Sequence, residues 1–261
     1  MKLKRLSKSL KFILLPLFGI IFLLALIKYA DNHLKAVDKN VLLVGISPDY
    51  PPFSTLEEEK MVGFDIDLIK AIAAKMEKKV KFKELTFPEL LPALLNNKID
   101  IIASGFSVNP NRADSISFTK PYWHSYLVAI TSKNVNHLHI QDLNKNKKIG
   151  VIVGSIMEYH ARKLFPKSQI ITASSNGILI NKLNLGELDA IVVENTQLPS
   201  LVSNNNRFNV LPVNDITIQL YALGLSKKNS LVKPININIE LFKKNGTIQA
   251  LAAKWNLIND Y

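Results

Sequence analysis

Short apolar runs ending at turn residues alternate, twice over, with segments of helical period, and that alternation is the tightest constraint on what this chain folds into. Residues 41–46, Val-Leu-Leu-Val-Gly-Ile, form an uninterrupted apolar run of the kind a strand buried on both faces needs. Ile66, Ile69, Ala73 and Met76 then recur at helical spacing across residues 65–79. Asp65 is placed to cap that helix, and Lys78-Lys79 suit its negative C-terminal end. Residues 80–85 read as a second strand, Pro88 as the first position of a helix reaching residue 96, and residues 99–103 as a third strand. Strand–helix–strand–helix–strand predicts a parallel sheet covered by helices on both faces.

A second unit of the same plan begins at residues 148–153. It continues through a helix over 155–164, a strand over 169–172, a helix near 178–184 and a strand over 190–193. The chain then returns, with another apolar strand at 220–225 and helices around 232–244 and 247–255. This order predicts two α/β lobes, the second inserted into the first: residues 41–126 with 219–261, and residues 127–218. The crossings between them are expected near residues 125–130 and 216–220.

The chain has 261 residues, room for one or two domains, and a net charge of +12. The charge is unevenly spread. Residues 1–40 carry eight Lys or Arg against Asp31 and Asp38, so half of the excess sits in the first forty residues. The rest is diluted over 221 residues with no segment that interleaves bases with aromatics, which argues against nucleic acid as a partner. There is no cysteine, so a disulfide framework, a thiolate metal site and a lipid-modified N-terminal cysteine are all excluded.

Five positive charges precede residues 12–27, an uncharged run broken only by Pro16 and Gly19. A basic stretch before an apolar one marks the chain for export. The segment reads either as a cleaved signal or, at the short limit for a bilayer span, as an anchor in the inner membrane. Its basic flank would then stay cytoplasmic and the remainder would lie outside. The expected location is periplasmic, with or without a tether.

Between the predicted elements lie short motifs in fixed order: Tyr50-Pro51-Pro52-Phe53, Gly63-Phe64-Asp65-Ile66-Asp67, Ser104-Gly105-Phe106-Ser107, Arg112, and Phe118-Thr119-Lys120-Pro121-Tyr122. Together they resemble the family 3 extracellular solute-binding proteins, the polar amino-acid receptors of bacterial ABC importers. The resemblance runs from about residue 41 to residue 255. It implies a two-lobed type II periplasmic-binding-protein fold, with a mainly parallel sheet in each lobe and two crossing strands. It also implies a monomer that closes by a hinge around one free amino acid, without a cofactor, and partners in a permease and an ATPase.

Such a receptor must take an α-carboxylate and an α-ammonium out of water, and each needs a dedicated partner because an unpaired buried charge costs several kcal/mol. The planar fork of arginine suits the carboxylate. By resemblance Arg112 is that partner, with contacts from the Gly105 backbone, the Ser107 hydroxyl and neighbouring Ser104. Tyr50 and Phe87 would flank the ligand side chain; Phe87, just before Pro88, is a poor helix cap and so free for another purpose. Gly154-Ser155-Ile156 occupies the place of a Gly-Thr-Thr or Gly-Ser-Thr in the family. Ser155 and the Ile156 backbone would donate to the carboxylate there, without the second hydroxyl. Glu194 stands where the family has aspartate for the ammonium, with one more methylene of reach.

Asp65, Asp67, Asp100 and Asp189 read as caps and strand-end residues, and Phe53, Phe64, Phe118, Tyr122 and Trp255 as core. Ser47 occupies a position where relatives that prefer basic amino acids carry an acid, so a neutral polar ligand such as glutamine is preferred to arginine. Asp49 or Glu57 would reverse this if the loop folds inward. No catalytic constellation stands out, and His137-x-His139 lacks nearby carboxylates for a metal. The alternatives are a prephenate-type dehydratase on the same fold, with Glu194 as general acid, and a membrane-tethered sensor that signals through a separate protein.

Overall fold

The computed structural model describes residues 22–24, 40–133, 139–202, 207–213 and 218–257. Compactness divides the chain at residue 41. In the first unit the described residues are 40, 41 and 22–24, the last a helical piece with exposed Phe22, Leu23 and Leu24. The rest of the apolar segment at 12–27 lies outside the described residues, and among those described no helix is long and apolar enough to cross a membrane.

The second unit holds two five-stranded sheets. The first comprises β1 (Val41–Ile46), β5 (Lys79–Glu84), β6 (Ile101–Ile102), β7 (Ile116–Phe118) and β15 (Gly224–Ser226), in the order β5-β1-β6-β15-β7. β1 runs parallel to β6 with Val44 opposite Ile101. β15 runs antiparallel to both β6 and β7. The second sheet comprises β9 (Leu127–Ser132), β10 (Lys148–Ile152), β11 (Gln169–Ala173), β12 (Ala190–Glu194) and β13 (Phe208–Pro212), in the order β11-β10-β12-β9-β13. β10 is parallel to β11 and β12, whereas β9 is antiparallel to β12 and β13.

The mainly parallel sheets expected from the sequence are therefore mixed. The antiparallel strands are those reached without a crossover helix, and only a helical crossover returns a chain parallel to itself. β9 follows β8 (Trp123–Ser125) after a single residue, and β15 follows β14 (Gln219–Tyr221) almost as closely. β8 and β14 pair antiparallel, Gln219 opposite Ser125 and Tyr221 opposite Trp123. The paired crossing thus lies slightly earlier than residues 125–130, which already belong mostly to the second sheet. Residues 216 and 217 of the other expected crossing lie outside the described residues.

Apolar faces pack each sheet separately. Helices α1 (Phe64–Lys75), α7 (Val232–Lys244) and α8 (Thr247–Lys254) close one face of the first sheet over Val44, Ile46, Ile69, Ile101, Leu225 and Ile239. α2 (Phe87–Leu95) covers the other face with Leu90, Leu94, Ile102 and Phe106. In the second sheet α4 (Ile156–Leu164) and α5 (Asn176–Asn184) complete a core of Ile149, Val151, Met157, Leu179 and Ile191.

Local detail departs from the sequence reading at the starts of α1 and α2. α1 is entered from Gly63 at φ +137°, where an added Cβ would lie 2.2 Å from the Phe53 carbonyl oxygen, so only glycine fits. Asp65 does not cap this helix. α2 is capped by Thr86 in a reciprocal box with Glu89, which places Phe87 inside the first turn rather than at its cap. Asp67 accepts from Lys254 Nζ (2.7 Å) and Trp255 Nε1 (2.8 Å), tying α8 to α1. Asp100 and Asp189 accept the Leu43 and Lys148 backbone N–H groups at strand ends, as expected.

Candidate functional site

Glu194, the last residue of β12, is 2% exposed, and its carboxylate is held by hydroxyls from the opposite wall. Ser125 Oγ donates at 2.9 Å and Ser107 Oγ at 3.2 Å, and Tyr50 Oη donates as well. Tyr50 Oη also meets Tyr221 Oη at 2.7 Å, and Tyr221 meets Thr196 Oγ1 at 3.2 Å. A phenol has one proton, and that of Tyr50 points to Glu194. Tyr221 must therefore donate to Tyr50, and Thr196 to Tyr221. Burial raises the Glu194 pKa from its ordinary value, and the hydroxyl donors oppose that shift. Burial and the neighbouring Glu194 push both tyrosines well above theirs.

Arg112 is placed by a one-turn helix, α3 (Pro110–Ala113), capped by the Asn109 side chain. It is 5% exposed. Nη1 donates to the Ser107 carbonyl (2.7 Å), and Nη2 donates to the Gly154 carbonyl (2.8 Å) at the end of the second sheet. The guanidinium lies 4.0 Å from the Phe106 ring centroid and 5.5 Å from that of Phe87. Desolvation pushes its pKa down to about 10 against the pull of Glu194, so it stays charged at neutral pH.

Gly105 and Asp65 shape the floor. Gly105 has φ +53°, and a Cβ there would come within 2.3 Å of Tyr50 Cε1. Its N–H donates to Asp65 Oδ2 at 2.7 Å. Asp65 is fully buried, and desolvation lifts its pKa to about 7 despite that bond. Opposite, Gly154 leads into α4 at φ +71°. The Ser155 hydroxyl caps α4 by accepting from Glu158 N and donates to the Ile152 carbonyl at 2.6 Å, so it is spent locally.

These walls enclose a cavity of about 20 Å³, room for a water or two, so they must part to admit a larger solute. Ser47, Asp49, Tyr50, Phe87, Gly105 and Ser107 line one side, and Ser155, Ile156, Met157, Ser174, Asn176 and Glu194 the other. Seven of the nine residues singled out in the sequence thus border one space. Arg112 stands just behind them, reaching Ser107 and Gly154. Ser104 sits deeper, its hydroxyl accepting the Ser47 N–H at 2.7 Å, and does not face the cavity.

The sequence reading missed Ser125, Thr196, Tyr221 and Asn176, and left Asp49 conditional. Tyr221 was hidden inside an apolar strand, and Asn176 in a helix start. Asp49, on β2 (Asp49–Tyr50), faces the cavity, whereas Glu57 is exposed. Asp49 Oδ2 accepts the Asn176 backbone N–H at 2.6 Å, and its carbonyl accepts Asn176 Nδ2 at 3.2 Å. Burial raises the Asp49 pKa, and the Asn176 N–H lowers it. Among the described residues no group of three His, Asp or Glu is placed to hold a metal, and His137 lies outside them.

Two mixed α/β sheets with a charged cleft between them, joined by a pair of short strands, define a two-lobed ligand-binding protein of the type II periplasmic architecture. The sequence model of the bacterial extracellular solute-binding proteins, family 3, matches residues 42–258, and the chain belongs to that family. A probable histidine-binding protein of Campylobacter jejuni is 32% identical over 218 residues, 83% of this chain and 85% of that protein. An ancestral arginine-binding protein bound to arginine is 32% identical with a TM-score of 0.77, covering 83% of this chain and 98% of that one. An ancestral amino acid-binding protein, AncCDT-1, a precursor of cyclohexadienyl dehydratase, is 30% identical with a TM-score of 0.75, covering 83% and 96%.

Proposed function

We propose that this chain is the exported receptor of an amino-acid importer. It closes its lobes, residues 41–126 with 219–261 and residues 127–218, around one polar L-amino acid. It then presents the closed form, as a monomer, to a membrane permease driven by an ATPase. One observation carries the reading: Arg112 and Glu194, of opposite charge and each nearly inaccessible, come from opposite walls, Glu194 lining the cavity and Arg112 standing directly behind the lining, bonded to Ser107 and Gly154. That is the arrangement a zwitterion needs, with Arg112 for the carboxylate and Glu194 for the ammonium. Arg112 has three N–H donors beyond the two already bound, and Glu194 retains acceptor capacity beyond its three hydroxyl partners.

Binding rather than catalysis is the reading the Glu194 environment supports. A dehydratase would use Glu194 as an acid, yet three hydroxyls donate to it and favour its ionised form against the desolvation that raises its pKa. Incubation with prephenate is expected to give no aromatic product. The function itself is tested by a thermal-shift screen of the twenty amino acids. A ligand at 100 times its dissociation constant stabilises by about 2.7 kcal/mol. No shift with any of them, in folded protein freed of carried-over ligand, overturns the proposal.

A further inference from the structure

Two carboxylates and one cation set the charge of the cleft, and a zwitterion does not balance it. Glu194 meets the phenol end of Tyr50, while Asp49 is the residue immediately before Tyr50 in β2, so the two acids lie at opposite ends of one tyrosine side chain. Arg112 compensates one negative charge, and the ammonium and carboxylate of a neutral amino acid cancel each other. A neutral ligand therefore leaves the closed cleft with one negative charge in excess. Among the described residues Asp49 forms no ion pair. Among those residues the compensation it receives is the N–H of Asn176 at the start of α5.

Asn176 supplies an independent sign of a ligand at this end. It is 3% exposed, it borders the cavity, and its Oδ1 is buried without a hydrogen-bond partner. An unpaired buried acceptor is destabilising and is rarely left so. Its Nδ2 is already used on the Asp49 carbonyl, which fixes the amide with the oxygen as the free end. Ser47 and Ser174 line the same stretch of wall and add small hydroxyl side chains. This end of the cleft thus offers a half-buried carboxylate and a lone carbonyl oxygen, both acceptors, and among the described residues no cation lines the cavity beside them.

We infer that this end of the cleft selects a cationic, N–H-rich ligand side chain, with Asp49 as its counter-charge and Asn176 Oδ1 as a second acceptor. The inference rests on reading the cleft as an amino-acid site and reverses the preference drawn from Ser47: a guanidinium or ammonium is favoured over a carboxamide. A carboxamide can satisfy one acceptor, but it leaves Asp49 uncompensated. A guanidinium can donate to both and brings the missing charge. Asp49 also joins the walls through Asn176, so a latch that aids every ligand equally is the rival account of the same contact.

Calorimetry on the full chain with L-arginine and L-glutamine, for the native protein, Asp49→Asn and Asn176→Ala, separates these accounts. Asparagine at 49 keeps an acceptor for the Asn176 N–H and removes only the charge. The native protein is expected to bind arginine more than tenfold tighter than glutamine. Asp49→Asn should lose at least tenfold for arginine while glutamine changes less than threefold. Asn176→Ala should weaken arginine more than glutamine. Equal losses for both ligands in Asp49→Asn would show a latch and overturn the inference. So would native protein that binds glutamine as tightly as arginine, a comparison that needs no variant to fold, and the receptor reading would stand in either case. Binding of neither ligand in the native protein, together with no response to any other amino acid, removes both readings.

Discussion

Gly105→Ala probes whether the floor of the cleft is as rigid as its contacts imply. The backbone term comes first: at φ +53° an L-residue with a Cβ costs about 1–2 kcal/mol. The packing term follows from the new methyl, 2.3 Å from Tyr50 Cε1 and 3.0 Å from Cδ1, distances that require the ring to move. The ring is not free to do so. Its hydroxyl is fixed between Glu194 and Tyr221, and its face meets Phe53 at 5.8 Å between centroids. Overpacking of this kind costs about 1–3 kcal/mol. The variant is therefore expected to lose roughly 2–5 kcal/mol of stability, read as a lower urea midpoint with an unchanged slope. It should also bind its amino acid at least tenfold more weakly, because a displaced Tyr50 releases Glu194. A midpoint within about 0.5 kcal/mol of the native protein together with unchanged affinity would refute the reasoning. A stability loss with full affinity would show that the strain is absorbed away from Tyr50.

Arg112→Ala should abolish binding, since truncating one partner of a buried charge pair costs on the order of 2–5 kcal/mol, and Arg112→Lys should recover little because a point charge cannot replace the fork; calorimetry on both decides this. Asp65 is a carboxyl whose folded pKa, about 7, lies above its ordinary 3.8, so the unfolded chain releases the proton first and this group's contribution to stability falls as pH rises from about 4 to about 7. At about 1.4 kcal/mol per pH unit the loss is on the order of 4 kcal/mol. Urea melts of the native protein and Asp65→Asn across that window should show a steeper fall in the former, because the buried Glu194 and Asp49 contribute to both curves; parallel curves would contradict it. Thr86→Ala removes the capping box of α2 and should cost about 1 kcal/mol by the same melts, leaving affinity within twofold.

The apolar runs at 41–46, 149–153 and 190–193 were legible because a strand buried on both faces carries no polar residue to confuse its pattern. The meander after Tyr50 was not. β3 (Ser54–Glu57) and β4 (Lys60–Val62) are short, and their turn uses Glu58 and Glu59 at φ +47° and +62°, where a two-residue hairpin ordinarily announces itself with Asn-Gly. Asp65 looked like a cap because it opens a helical pattern, yet its partner, Gly105, is forty residues away and nothing local signals it. The Thr86-x-x-Glu89 box was readable and was obscured by the attention Pro88 draws. Arg112, Gly105 and Glu194 stood out through motif order. Tyr221 and Asn176 did not, because each gains its place in the cleft only when the second sheet is folded against the first.

The strands that join the sheets are also the strands that solvate Glu194. Ser125 ends β8, and Tyr221, its neighbour's end on β14, holds Tyr50 in place. Any bending of that pair changes the donors around the carboxylate, and any solute that competes for the carboxylate tugs on the pair. Ligand choice and hinge stiffness are therefore inherited together. A lineage that alters one by substituting Ser125 or Tyr221 alters the other in the same step, and new specificity with unchanged motion has to arise at residues such as Asp49 that lie off the joint.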